Sequence, residues 1–126
     1  EGPEYYPDDL WTDQNERQMI AEMIREKALM NLREEVPHGI GVEIISIKEV
    51  RKGLTEVHAD IYCERASHKT IIIGRKGEML QKIGSQARED IEALLDCHVN
   101  LQLWVKVRPG WMDSNNDLKS LGYWER

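Results

Sequence analysis

The residues best placed to do chemistry in this 126-residue chain are four in a row, Gly74-Arg75-Lys76-Gly77. Two glycines around a basic pair suit one task in particular, holding a phosphodiester backbone. Glycine has no Cβ, so the main chain can approach a phosphate closely. Arg75 and Lys76 add positive charge at that point. Downstream, Leu80, Ile83, Ala87, Ile91, Leu94 and Leu95 recur at helical spacing. An amphipathic helix therefore starts after Gly77 and aims its free N–H groups and positive dipole end at the loop. Upstream, Thr70-Ile71-Ile72-Ile73 offers an apolar floor for bases. Charge is distributed to match. From Arg65 to Arg88, six bases (Arg65, Lys69, Arg75, Lys76, Lys82, Arg88) stand against one acid, Glu78. The whole chain is at −6, and Glu1 to Asp13 holds five acids and no base. A basic patch on an acidic protein is the footprint of a small anionic target, not of a general nucleic-acid binder. A bare G-x-x-G is also what any basic tight turn looks like, so the surrounding elements must decide.

Those elements read as follows. Residues 1–12, with Pro3, Pro7 and paired acids, form a linker or arm in which Tyr5, Tyr6 and Trp11 can dock on the domain. A helix is expected from Thr12 or Asp13, with Ile20, Met23, Ile24, Ala28, Leu32 and Val36 as its buried stripe and Pro37-His38-Gly39 as its end. Val42 to Lys52 is a strand whose apolar phase slips between Ile44 and Ile45, which predicts a bulge. After Lys52-Gly53, a second strand buries Val57, Ala59, Ile61 and Cys63 and turns His58, Asp60, Tyr62 and Glu64 outward. Gly84 lies on or near the stripe of the loop-following helix, where it kinks the helix or admits a close neighbour. A third strand alternates through Val99, Leu101, Leu103, Val105 and Val107, and Asn115 to Leu121 forms a short C-terminal helix. The domain thus runs from 13 to 126. It is an α+β domain, a three-stranded mixed sheet covered on one face by helices.

I-I-I-G-R-K-G-x-x-L-x-x-I within such a domain is the pattern of a KH module. The chain resembles the C-terminal KH domains, type II in topology, of the Era family of bacterial ribosome-assembly GTPases. The resemblance is carried by Tyr5-Tyr6-Pro7-Asp8-Asp9, Glu22-Met23-Ile24-Arg25-Glu26-Lys27, Glu34-Glu35-Val36-Pro37-His38 and the loop itself. It continues through Ile83-Gly84-Ser85-Gln86-Ala87-Arg88-Glu89-Asp90-Ile91-Glu92, Trp104-Val105-Lys106-Val107 and Leu121-Gly122-Tyr123. It implies that Ser67 to Ile73 is a short helix, although three isoleucines favour a strand by propensity. It also implies single-stranded RNA as partner, the 3′ end of small-subunit ribosomal RNA during assembly of the small ribosomal subunit. A covalently linked GTPase domain is implied as well, with residues 1–12 as the end of the connection to it. The implied location is the cytoplasm, with peripheral association at the inner membrane face. The chain begins with Glu rather than Met, as a piece of a longer protein would, and it has no G-x-x-x-x-G-K-[ST] phosphate loop.

The expected RNA contacts are Gly74 and Gly77 for backbone approach, Arg75 and Lys76 for phosphate or ribose, and Lys82 as a second phosphate contact. Ile72, Ile73, Leu80 and Ile83 divide between core and base-facing roles. The sheet edge near Asp60 to Cys63 is expected as the opposite wall of the groove, hydrogen-bonding base edges. The eight aromatics are scattered, with no RRM-type motif, and are assigned to core or docking. Cys63, Cys97 and the four histidines show no metal-ligand spacing, and no Ser/His/Asp or Cys/His set suggests catalysis. No cofactor and no catalytic residue are expected, and nothing demands more than a monomer. The rival reading is a protein-interaction module on a KH scaffold with a vestigial G-x-x-G, against which the basic pair speaks.

Overall fold

The computed structural model describes residues 7–32, 34–36 and 39–110, with side chains described from residue 14 onward. Helix α1 (Pro7–Leu32) comes first, then strands β1 (Gly41–Arg51) and β2 (Leu54–Cys63). Helix α2 (Ala66–Ile73), a single 3-10 turn (Arg75–Gly77), helix α3 (Glu78–Leu95) and strand β3 (His98–Val107) follow. Helix α1 begins at Pro7 and not at Thr12 or Asp13 as expected. Proline pre-sets the backbone angle of a first helical residue and needs no N–H there, so Pro7 opens the helix instead of belonging to a loose arm. Pro37, His38 and the C-terminal helix expected at 115–121 lie outside the described residues.

β1 and β2 form an antiparallel hairpin turned at Gly53, whose φ of +83° suits glycine. The pairing register shifts between Ile44 and Ser46, leaving Ile45 unpaired and 44% exposed, so the phase slip in the sequence is a bulge. β3 adds parallel to β2, giving the order β1-β2-β3 and a mixed sheet. Its start is tied to the hairpin, where the His98 N–H donates to the Gly53 carbonyl at 3.0 Å.

One face of the sheet presents Val42, Ile44, Val57, Ala59, Ile61, Cys63, Val99 and Val105 to Ile20, Ile24, Ala28 and Leu32 of α1 and Ile83, Ala87 and Ile91 of α3. Each fully buried isoleucine contributes roughly 2–3 kcal/mol. This layer of helices on one sheet face is the core, and it fixes α3 beside β3. α2 is a helix, as the resemblance implied and against the strand propensity of its isoleucines. Ile72 is fully buried within the core, and the Gly74 N–H closes the last turn on the Thr70 carbonyl at 2.9 Å. Tertiary burial outweighs local preference here.

Candidate nucleic-acid interface

The loop between α2 and α3 reverses the chain within four residues because three of them take positive φ. Gly74 stands at φ 79°, ψ 175°, and Gly77 at φ 78°, ψ 11°. A Cβ on Gly74 would lie 2.6 Å from the Met79 Cβ and 2.8 Å from the Met79 nitrogen, so only glycine fits. Lys76, between the glycines, is left-handed at φ 56°, ψ 26°. A lysine in that region costs roughly 1–2 kcal/mol, an expense that marks the turn as more than a connector. Arg75 and Lys76 are both exposed. Gly77 is the N-cap of α3 and offers no side chain to cap it. The Glu78 N–H turns back to donate to the Arg75 carbonyl, and the positive end of the α3 dipole faces the loop, where an anion is favoured.

Two concavities flank α3. On one side, a groove of about 400 Å³ runs between α3 and β3, from Gly77 and Leu80 past Gly84 and Ser85 to Arg88, with Asn100, Leu101 and Leu103 as its far wall. On the other side, Gly74, Arg75, Glu78 and Lys82 share a depression with Leu32, Glu35 and Ile71. Helical geometry explains the division, since residues four apart share a face while Lys82 and Gly84 point to opposite sides.

This arrangement sorts the expected contacts. Gly74, Arg75, Lys76 and Gly77 come together in the loop. Leu80 is half-buried and lines the α3–β3 groove. Ile73 is half-buried and packs against the core. Lys82 is exposed beside Arg75, on the side of α3 away from the groove. Ile72 and Ile83 are corrected to core residues. Both have no exposed surface, so they hold α2 and α3 in place and offer no face to a base.

The wall expected at Asp60 to Cys63 is also corrected. β2 is the central strand, hydrogen-bonded on both sides, so its backbone has no free edge. Asp60 is 2% exposed and bound to Lys106 Nζ at 2.9 Å. The free edge beside α3 is β3. Asn100, Leu101, Leu103, Gln81, Ser85 and Arg88 were missed as groove residues. The spacing Leu80, Gly84, Arg88 was the available signal, because it continues one helix face from the loop. Trp104 is 55% exposed and its ring lies 6.1 Å from that of His58, on the sheet face opposite the helices, so it is not a core residue.

The far end of the groove is organised by Glu92. Its Oε2 accepts the Val99 N–H at 2.8 Å and lies 3.3 Å from Arg88 Nη1. One nitrogen of the Arg88 fork is engaged and the other donors remain for a ligand. Nothing in the described residues suggests bond-breaking chemistry. No group of three His, Cys, Asp or Glu could hold a metal ion among them. Burial pushes the Cys63 thiol up from its ordinary pKa, which suits a core residue and not a nucleophile.

Comparison with known proteins agrees with this geometry. A family model described as KH domain matches residues 35–112. GTPase Era of Ruminiclostridium cellulolyticum is 58% identical over 123 residues, covering 98% of this chain and 41% of the relative. GTPase Era of Clostridium kluyveri is 58% identical over 123 residues, 98% of this chain and 42% of that protein. The chain therefore spans about two-fifths of the length of these relatives. Among solved structures, a variant of Aquifex aeolicus Era bound to GDP.AlF4− superposes with a TM-score of 0.80 at 41% identity, covering 85% of this chain and 36% of that one. Era in complex with MgGDPNP and nucleotides 1506–1542 of 16S ribosomal RNA gives 0.81 at 41% identity, with 85% and 36% covered. The glycine loop, the mixed sheet and these matches lead to one conclusion: the chain belongs to the KH domain family.

Proposed function

We propose that this domain holds single-stranded RNA, with the sugar–phosphate backbone on Gly74-Arg75-Lys76-Gly77 and the bases in the groove between α3 and β3. The observation that carries the reading is the loop itself. Two exposed cations, one of them the left-handed Lys76, and a helix N-terminus with no side-chain cap meet at one end of a groove lined in part by leucines. Arg75 and Lys82 stand together on the outer side, where a backbone would pass, and Arg88 stands at the far end. A KH groove takes about four nucleotides, so the isolated domain binds modestly.

The natural RNA, on this proposal, is the 3′ end of small-subunit ribosomal RNA, bound during assembly of the small subunit. Support comes from similarity to an Era protein solved with a 16S ribosomal RNA segment. The same proposal places the chain in the cytoplasm, covalently linked to a GTPase domain, and acting as a monomer. Peripheral contact with the inner membrane face rests on the family resemblance alone.

The test is a titration of fluorescent RNA matching the 3′ end of small-subunit ribosomal RNA into the domain and into a folded Arg75→Asp/Lys76→Asp variant. Binding by the parent that disappears in the variant is expected. Equal binding by both would remove the loop from the site. No binding by either at low salt would favour a protein-interaction module on a KH scaffold.

A further inference from the structure

Gly84 stands in the interior of α3, where glycine weakens a helix relative to alanine. A helix keeps such a glycine for a positive φ, for a neighbour too close to admit a Cβ, or for a ligand. The first does not apply, because Gly84 is absent from the positive-φ glycines. The second fails on distance. A Cβ built at Gly84 meets only the Leu103 Cδ1 within 4 Å, at 3.6 Å, an ordinary van der Waals separation. By contrast, a Cβ on Gly74 runs into the Met79 backbone. The fold thus has room for alanine at position 84.

The third reason is visible in the groove. Gly84 lies midway along its α3 wall, one turn beyond Leu80 and one turn before Arg88, and adjoins the Leu103 side chain. A methyl group at 84 would sit in van der Waals contact with the Leu103 side chain and raise the lining of the groove at that point. We infer that Gly84 is a specificity-determining residue, which keeps the α3 wall flat so that a nucleobase can lie against the α3 backbone, with the adjoining Leu103 side chain as part of the same surface. Leu80 and Leu101 supply the apolar surroundings, and Ser85 and Asn100 the polar atoms at the rim. The occupant is a base of single-stranded RNA, because the groove opens directly onto the cationic loop. This inference rests on the reading of the loop as the RNA clamp.

The experiment compares the parent, Gly84→Ala, Gly84→Ala/Leu103→Ala and the folded Arg75→Asp/Lys76→Asp variant in RNA titration and thermal unfolding. Gly84→Ala is expected to raise Tm by about 2–8 °C, because alanine is the better helix former. It is expected to weaken RNA binding about tenfold or more, the usual effect of one misplaced methyl group in a fitted pocket. Removing the Leu103 side chain in the same protein should make room beside the new methyl group and restore part of the affinity. A folded Gly84→Ala variant that binds like the parent, while the double aspartate variant does not bind, overturns the role of Gly84 and leaves the loop intact. A fall in Tm on Gly84→Ala also overturns it, since the glycine would then serve packing. If the parent binds no RNA, this inference falls together with the reading beneath it.

Discussion

Gly74 and Gly77 frame the loop symmetrically in the sequence, yet they differ in what they demand. Gly74, at φ 79° and ψ 175°, occupies backbone space that is essentially glycine's alone, and a Cβ there strikes Met79. Gly77 has left-handed helical angles and nothing within 4 Å of a built Cβ. Gly74→Ala should therefore cost about 2–4 kcal/mol of stability, strain and collision combined. Gly77→Ala should cost only about 1–2 kcal/mol, and Gly77→Asn less, because asparagine tolerates the left-handed region. Urea denaturation of the three variants measures this, and equal losses for Gly74→Ala and Gly77→Ala would contradict it. The motif was legible at this scale: the four loop residues stand together as read. Which glycine is sterically obligatory was not legible, because it depends on where Met79 returns against the loop.

Among the elements, the three strands are locked together at one end by a single tyrosine. Tyr62 of β2 donates its hydroxyl to Glu43 Oε1 of β1 at 2.9 Å, and Arg108, just beyond β3, lies 4.0 Å over its ring. Burial, with the Glu43 hydrogen bond and charge adding to it, raises the Tyr62 pKa to about 12; Arg108 opposes the shift. The folded state therefore holds this proton more tightly than the unfolded chain, whose tyrosine titrates near 10. The resulting stability is complete below about pH 10 and is lost as pH rises toward 12. Its size is of order 2 kcal/mol. In urea unfolding at pH 9 and pH 11.5, the parent should lose more stability between the two than Tyr62→Phe does. Identical losses would show that this tyrosine carries no pH dependence. Strand and helix identities followed well from period, as in Val57 to Cys63 and Leu80 to Leu95, because one buried face imposes its repeat on the sequence. Strand neighbours did not follow. Nothing in Asp60 to Cys63 shows that β3 will pair beside it and take the edge, since that pairing spans more than forty residues and is decided by how α2 and α3 return the chain. The missed groove wall has this cause.

The whole molecule carries −6, yet its proposed ligand is a polyanion. Long-range attraction therefore contributes little, because the net charge repels the ligand. Binding must come from short-range contacts by few cations. Arg75, Lys76 and Lys82 are the exposed bases at or beside the turn, and if each neutralises one phosphate, three counterions' worth of release is available. For single strands the logarithm of affinity falls by about 0.7 per phosphate for each decade of salt, so a slope of about −2 is expected for this domain. The measurement is a salt series of the RNA titration, repeated with Lys82→Gln. That substitution should make the slope shallower by about 0.7 if Lys82 meets a phosphate beside Arg75. It should leave the slope unchanged if RNA keeps entirely to the α3–β3 side. A parent slope of about −5 or steeper would require phosphate contacts far from the loop, and the proposed path of the backbone would have to be redrawn. A shallow slope that loses one contact with Lys82 would instead support a backbone crossing the loop on its Arg75 side while its bases turn into the groove.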